Sequence, residues 1–124
     1  MLSKSQSVLV VDDEIDIVES IKLWLQKRGL KVQAFTDPVS ALECFENNAS
    51  SIDVVLSDIR MPQMNGYELI KRIKNLRSEV KIILMSAFEI NPSDMARVLP
   101  NAKIDSLISK PISLGDLTRT IEKS

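Results

Sequence analysis

Short Val- and Ile-rich runs alternate along this chain with segments of helical periodicity, and four of the runs end on polar residues. Asp12-Asp13 follow Val8–Val11, Asp58 follows Val54–Leu56, Ser86 follows Ile82–Met85, and Lys110 follows Leu107-Ile108. This alternation predicts a parallel sheet, because parallel strands need a long crossover between them and a helix supplies it. In such a sheet the carboxyl ends of the strands converge on one crevice, where ligands bind. Three carboxylates, a hydroxyl and an ammonium are thereby expected in one pocket.

The individual elements follow from local signals. Ser7–Val11 reads as the first strand. Glu14–Arg28 reads as a helix with Val18, Ile21 and Leu25 on one face and Gly29 at its C′ position. Lys31–Phe35 is a second strand. Asp37 is an N-cap and Pro38 the first residue of a helix that carries Ala41, Leu42 and Phe45 and fades at Asn47-Asn48. Ile52–Ser57 has the continuous apolar character of a strand buried on both faces. Pro62 and Asn65-Gly66 make residues 60–66 a loop. Beyond it come a helix at Tyr67–Leu76, a buried strand at Lys81–Met85, a short helix at Pro92–Leu99 closed by Pro100, and a strand at Ile104–Ser109. A last helix is capped by Ser113, with Leu114, Leu117 and Ile121 along one side. Five strands and five helices in 124 residues predict one α/β domain over residues 1–124, a doubly wound (βα)5 sheet of order 2-1-3-4-5. Strands one and three flank the switch point of that order, which places Asp12, Asp13 and Asp58 in the crevice.

Composition removes several classes of function. A formal net charge of −1, with no basic stripe or arm, argues against direct nucleic-acid binding. No apolar run reaches the length of a membrane span, and Met1–Ser7 lacks the apolar core of a secretory signal. The single cysteine, Cys44, excludes an internal disulfide and fits a reducing, cytoplasmic setting; beside Phe45 on an apolar helix face it reads as a small buried residue. The chain has no histidine, so Ser-His-Asp and Cys-His catalysis, His-ligated zinc and a phosphohistidine intermediate are all unavailable. Any metal must be held by oxygen, which favours Mg²⁺, Mn²⁺ or Ca²⁺.

Asp12, Asp13 and Asp58 carry enough charge for one hard cation, and without one their repulsion raises at least one pKa. Each residue has a plainer explanation alone: helix-capping charge for Asp12-Asp13, loop capping for Asp58, a turn serine at Ser86, a solvated lysine at Lys110. Their joint placement at four strand ends favours a shared site. The only glycines are Gly29, Gly66 and Gly115, and neither GxGxxG nor GxxxxGK[ST] occurs, so no loop cradles a nucleotide. Phosphate would be held by cation, lysine and hydroxyl instead. An aspartate in such a pocket is able to act as a nucleophile and form an aspartyl-phosphate.

The acidic pair Asp12-Asp13, the stretch Asp58-Ile59-Arg60-Met61-Pro62-Gln63-Met64-Asn65-Gly66, the pair Ser86-Ala87 and the pair Lys110-Pro111 together resemble the receiver domain of two-component response regulators, over Ser7 to about Lys123. The resemblance implies the flavodoxin-like version of the fold and a phosphorylation-dependent signalling switch rather than an enzyme with separate substrate turnover. Asp58 is then the phosphoacceptor, taking its phosphoryl group from a phosphohistidine on a sensor histidine kinase or phosphotransfer protein. Mg²⁺, with Mn²⁺ as a substitute, is held by Asp12, Asp13, Asp58 and the backbone carbonyl of Arg60, with Asp13 a direct ligand and Asp12 acting mainly through water. Lys110 pairs with Asp58 before modification and with the phosphoryl group after it, and Ser86 moves to hydrogen-bond that group. The surface of the last two strand–helix units then changes its preference for a downstream protein, an attached output domain or a second copy of the chain. DNA binding would need an output domain that these residues do not supply.

One departure is Leu107, which stands three residues before the lysine where the family often has Tyr or Phe. Switching is then expected to be weaker, or read through Ser86 and the backbone alone. Arg60 and Phe88, two residues beyond Asp58 and Ser86, are expected to flank the path of attacking water. Three rivals exist. A Mg²⁺-dependent aspartyl-phosphate hydrolase commonly carries a second acid where this chain has Arg60. A binding-only module would not need all five polar residues. A flavin binder would need a phosphate loop, and Trp24 and Tyr67 do not lie at strand ends.

Overall fold

Valine, leucine and isoleucine, with Met85, occupy the apolar positions of the central strands, so these strands bury both faces and need helices on each side. The computed structural model describes residues 6–87, 104 and 106–122. Within them β1 (Ser7–Val11), β2 (Lys31–Phe35), β3 (Val54–Asp58), β4 (Lys81–Ser86) and β5 (Ser106–Ser109) form one parallel sheet of order β2-β1-β3-β4-β5, as predicted. The described helices are α1 (Ile15–Gln26), α2 (Pro38–Asn48), α3 (Gly66–Leu76) and α4 (Leu114–Glu122). The helix expected at 92–99, its closing Pro100, Phe88 and residues 1–5 lie outside the described residues.

Strand alternation divides the core in two. Leu9, Val11, Val55, Ile82 and Leu84 face one side, where Phe45 of α2 and Leu69, Ile70 and Ile73 of α3 cover them. Val8, Val10, Leu56, Ile83 and Met85 face the other, under Ile21 and Leu25 of α1 and Leu117 and Ile121 of α4. All of these are fully or almost fully buried, each contributing on the order of 1.5–3 kcal/mol by transfer from water. Trp24 ties the second layer together: its indole N–H donates to Thr118 Oγ1 of α4 at 2.7 Å, and Arg28 lies over its ring.

The end signals act as their chemistry dictates. Gly29 adopts φ 87°, and Leu30 N–H to Leu25 O (3.2 Å) with Gly29 N–H to Gln26 O (3.0 Å) closes α1 in a Schellman pattern. Asp37 caps α2 by accepting from the N–H groups of Val39 and Ser40, and Ser113 Oγ accepts from Asp116 N–H at the start of α4.

Some boundaries differ from expectation. β3 begins at Val54 rather than Ile52, because Asp53 Oδ2 accepts from Ser7 N–H at 2.8 Å and locks the entry to the strand. β5 begins at Ser106 rather than Ile104. β3 and β4 each continue one residue further than the expected strands, to Asp58 and Ser86, because the ladder depends on backbone groups and ignores side-chain polarity. Cys44 is half-buried at the core margin rather than buried, with its thiol against Gln33 Oε1.

Candidate functional site

The sheet registers bring the polar strand ends together. Val11 is level with Ser57, Asp58 with Met85, and Ser86 with Ser109. Backbone bonds extend each ladder past its strand: Asp12 N–H donates to Phe35 O (3.2 Å), Ile59 N–H to Met85 O (3.2 Å) and Lys110 N–H to Ser86 O (2.7 Å). Asp12, Asp58, Ser86 and Lys110 are thus fixed by main-chain pairing, which confines their side chains to one end of the sheet.

The loop after β3 completes this end. Met64 N–H bonds to Pro62 O, Gln63 adopts φ 71°, and Asn65 Oδ1 accepts from Glu68 N–H at 2.9 Å to start α3. Gly66 N–H donates to Ile59 O at 2.7 Å. A side chain at Gly66 would be driven into the Asp58 carbonyl oxygen and would come within 2.9 Å of Ile59 Cα, so only glycine lets α3 begin this close to the strand end.

Lys110 is the centre of the arrangement. Its Nζ lies 2.8 Å from Asp12 Oδ2, 3.2 Å from Asp58 Oδ2 and 3.6 Å from Glu14 Oε1. Its side chain is only 9% exposed, which removes the solvated-lysine explanation. The lysine was expected to pair with Asp58; it does so, but its shortest contact is to Asp12. Asp12 is fully buried, and its Oδ1 accepts from Glu14 N–H at 2.9 Å. Asp12 Oδ2 receives no aligned hydrogen bond, so the 2.8 Å approach of Lys110 is an ionic contact. Asp58 Oδ1 accepts from Ile59 N–H at 2.8 Å, leaving Oδ2 toward the lysine.

Burial pushes the Asp12 carboxyl up, and the nearby Asp58 charge adds to this; Lys110 and the Glu14 N–H oppose the rise without cancelling it. Burial pulls Lys110 down, but Asp12 and Asp58 more than offset it, so the ammonium is held above its ordinary value. One ammonium faces more negative charge than it neutralises. Carboxylate oxygens of Asp12, Asp13 and Asp58 all come within 4.8 Å of one another, with Asp13 exposed at the mouth and the other two buried. An all-oxygen, anionic set with an unsatisfied buried oxygen fits a hard divalent cation.

Of the residues singled out from sequence, Asp12, Asp13, Asp58 and Lys110 are brought together. Ser86 is the last residue of β4, almost fully buried, and its carbonyl holds the Lys110 backbone. The Arg60 side chain is exposed in the loop after β3. The N-cap of α1 is Glu14, not the acidic pair. Glu14 was missed as a site residue; the only signal was a third acid directly after Asp13.

A family model described as "Response regulator receiver domain" matches residues 8–122. The chain is 33% identical over 122 residues to the sensor kinase CckA of Brucella abortus, covering 98% of this chain and 13% of that protein. It spans about half the length or less of these curated relatives. A CheY-like response regulator receiver domain protein of Methanospirillum hungatei superposes with TM-score 0.86 at 29% identity, covering 95% of this chain and 91% of that one. The response regulator TrrA of Thermotoga maritima, solved in complex with Mg²⁺ and BeF, superposes with TM-score 0.81 at 29% identity, covering 95% and 97%.

Proposed function

Because this chain belongs to the response regulator receiver domain family, we propose that it is a phosphorylation-dependent switch of a two-component system, with Asp58 as the acceptor. A receiver is a signalling unit, not a metabolic enzyme, and residues 1–124 are read as one such unit. The observation that carries the reading is a lysine, its side chain only 9% exposed, bridging two buried strand-end aspartates, 2.8 and 3.2 Å away, beside a buried serine.

Asp58 Oδ2 is the nucleophile. It attacks phosphorus of a phosphohistidine on a partner kinase or phosphotransfer protein, the P–N bond breaks, and the imidazole leaves with that electron pair. Lys110, already beside Oδ2, transfers its contact to the incoming phosphoryl oxygens. The Ser86 hydroxyl donates to the same group and passes its arrival to β4 and, through the Ser86–Lys110 backbone bond, to β5. Asp12, Asp13, Asp58 and the Arg60 carbonyl would hold Mg²⁺ or Mn²⁺, which when bound would offset charge developing on the transferred group. That TrrA was solved with Mg²⁺ supports a cation here, though not a particular ligand set. A groove of about 340 Å³ lined by Ile17, Ile21, Ile112 and Leu114 opens beside Lys110 and supports docking of the phosphodonor protein on α1.

The test is chemical mapping. The chain is phosphorylated by a histidine-phosphorylated donor, the acyl phosphate is reduced with borohydride, and the peptides are sequenced. Homoserine at position 58 is expected; homoserine at Asp12 or Asp13, or none at all, contradicts the assignment.

A further inference from the structure

Glu14 occupies the N-cap of α1, where a short side chain normally accepts from the first turn, yet its side chain makes no capping hydrogen bond. Its backbone instead holds Asp12 Oδ1 (2.9 Å), and its carboxylate faces Lys110 Nζ (3.6 Å). Lys110 therefore touches three carboxylates of two kinds. Asp12 and Asp58 are buried and belong to the oxygens that converge on the candidate cation pocket; Glu14 has a side chain 63% exposed and is not one of them.

Asp12 Oδ1 is held by the Glu14 N–H, so Oδ2 is the oxygen left to serve a divalent cation, directly or through water, and the Lys110 ammonium already lies 2.8 Å from it. Two positive charges sharing that buried oxygen repel, and low local polarity strengthens the repulsion. Cation entry would therefore weaken the shortest contact of the lysine. Asp58 alone would then have to serve both cation and lysine. We propose that Glu14 is the second seat of Lys110: a positioning residue that keeps the ammonium at the pocket when a cation takes Asp12. The exposure of Glu14 makes it suited to this, since it accepts the ammonium without a buried charge being created or left behind. This inference rests on the receiver reading above and adds a residue to it.

The experiment is Mn²⁺ binding to the full chain, read from the free-ion electron paramagnetic resonance signal, in wild type, Glu14→Ser, Lys110→Met and the double variant. Glu14→Ser is expected to weaken Mn²⁺ binding roughly threefold to tenfold when Lys110 is present, the size of an ordinary pair coupling, and to have little effect in the Lys110→Met background. Serine supplies the missing cap, so this variant is expected to melt at a higher temperature than wild type, which separates lost affinity from lost folding. Lys110→Gln gives the same comparison where the methionine variant does not fold. Equal weakening in both backgrounds, which simple loss of a negative charge would produce, overturns the proposal, as does unchanged affinity in Glu14→Ser. Absence of Mn²⁺ binding in wild type overturns the cation assignment itself and this inference with it.

Discussion

Asp12 shows why the end of the sheet is costly to build. Its carboxylate is fully buried, answered by the Lys110 ammonium and the Glu14 N–H, and Asp58 stands nearby. With its pKa raised, the folded state binds the proton more readily than the unfolded chain, so this group's share of stability falls as pH rises above the ordinary value of 3.8. Asp12→Asn leaves Lys110 paired with Asp58 and removes the conflict. In cation-free buffer at neutral pH it is expected to stabilise the protein by about 1 kcal/mol, roughly 3–6 °C in Tm for a domain of this size. Thermal melts in chelator check this; a lower Tm would mean that Asp12 is net stabilising as a partner of Lys110. At this scale Asp12, Asp13, Asp58, Ser86 and Lys110 were legible because each is a polar residue within two positions of the end of an apolar run. Glu14 was not: an exposed acid at a helix start looks like an ordinary dipole charge, and only the 3.6 Å contact separates it from one.

The loop between β3 and α3 is the element on which the site geometry depends. Gln63 holds φ 71°, a conformation that costs a side-chain-bearing residue about 1 kcal/mol. Gln63→Gly is expected to recover about that amount in denaturant unfolding, and a loss of stability would show that the Gln63 side chain makes a compensating contact. Gly66→Ala is expected to cost at least roughly 2 kcal/mol, since backbone atoms of Asp58 and Ile59 stand where the methyl would go. The same variant should impair phosphoryl acceptance, because relief of the clash displaces Asp58. An unfolding curve and an acceptance assay on one sample check both; near-wild-type values for either would show that α3 recedes freely. Pro62 and Asn65-Gly66 made the loop legible in sequence. The strand ends were less so, because β3 and β4 run on through Asp58 and Ser86 by main-chain bonds that hydrophobicity does not record.

For the whole molecule, the order β2-β1-β3-β4-β5 followed from alternation together with the strand count, since of the two common doubly wound orders five strands suit this one. How the switch is read was less legible. Leu107 is able to pack inward or outward, and here it is 42% exposed on the edge strand β5. A leucine gains nothing from a polar pocket end, so it is expected to stay outside when Ser86 engages a phosphoryl group. Methyl NMR of Leu107 with and without a beryllofluoride mimic checks this: small shifts are expected, and a large inward swing would restore a side-chain switch at this position. Among the described residues no helix is long and apolar enough to cross a membrane.

The central claim is that Asp58, served by Lys110 and a cation pocket, accepts a phosphoryl group. Intact mass after incubation with Mg²⁺ and a small-molecule phosphodonor, beside Asp58→Asn and a chelated control, tests it most directly. One phosphoryl adduct that needs Mg²⁺ and is lost in Asp58→Asn is the predicted result. An adduct that persists in Asp58→Asn, or that forms equally well in chelator, would contradict the account.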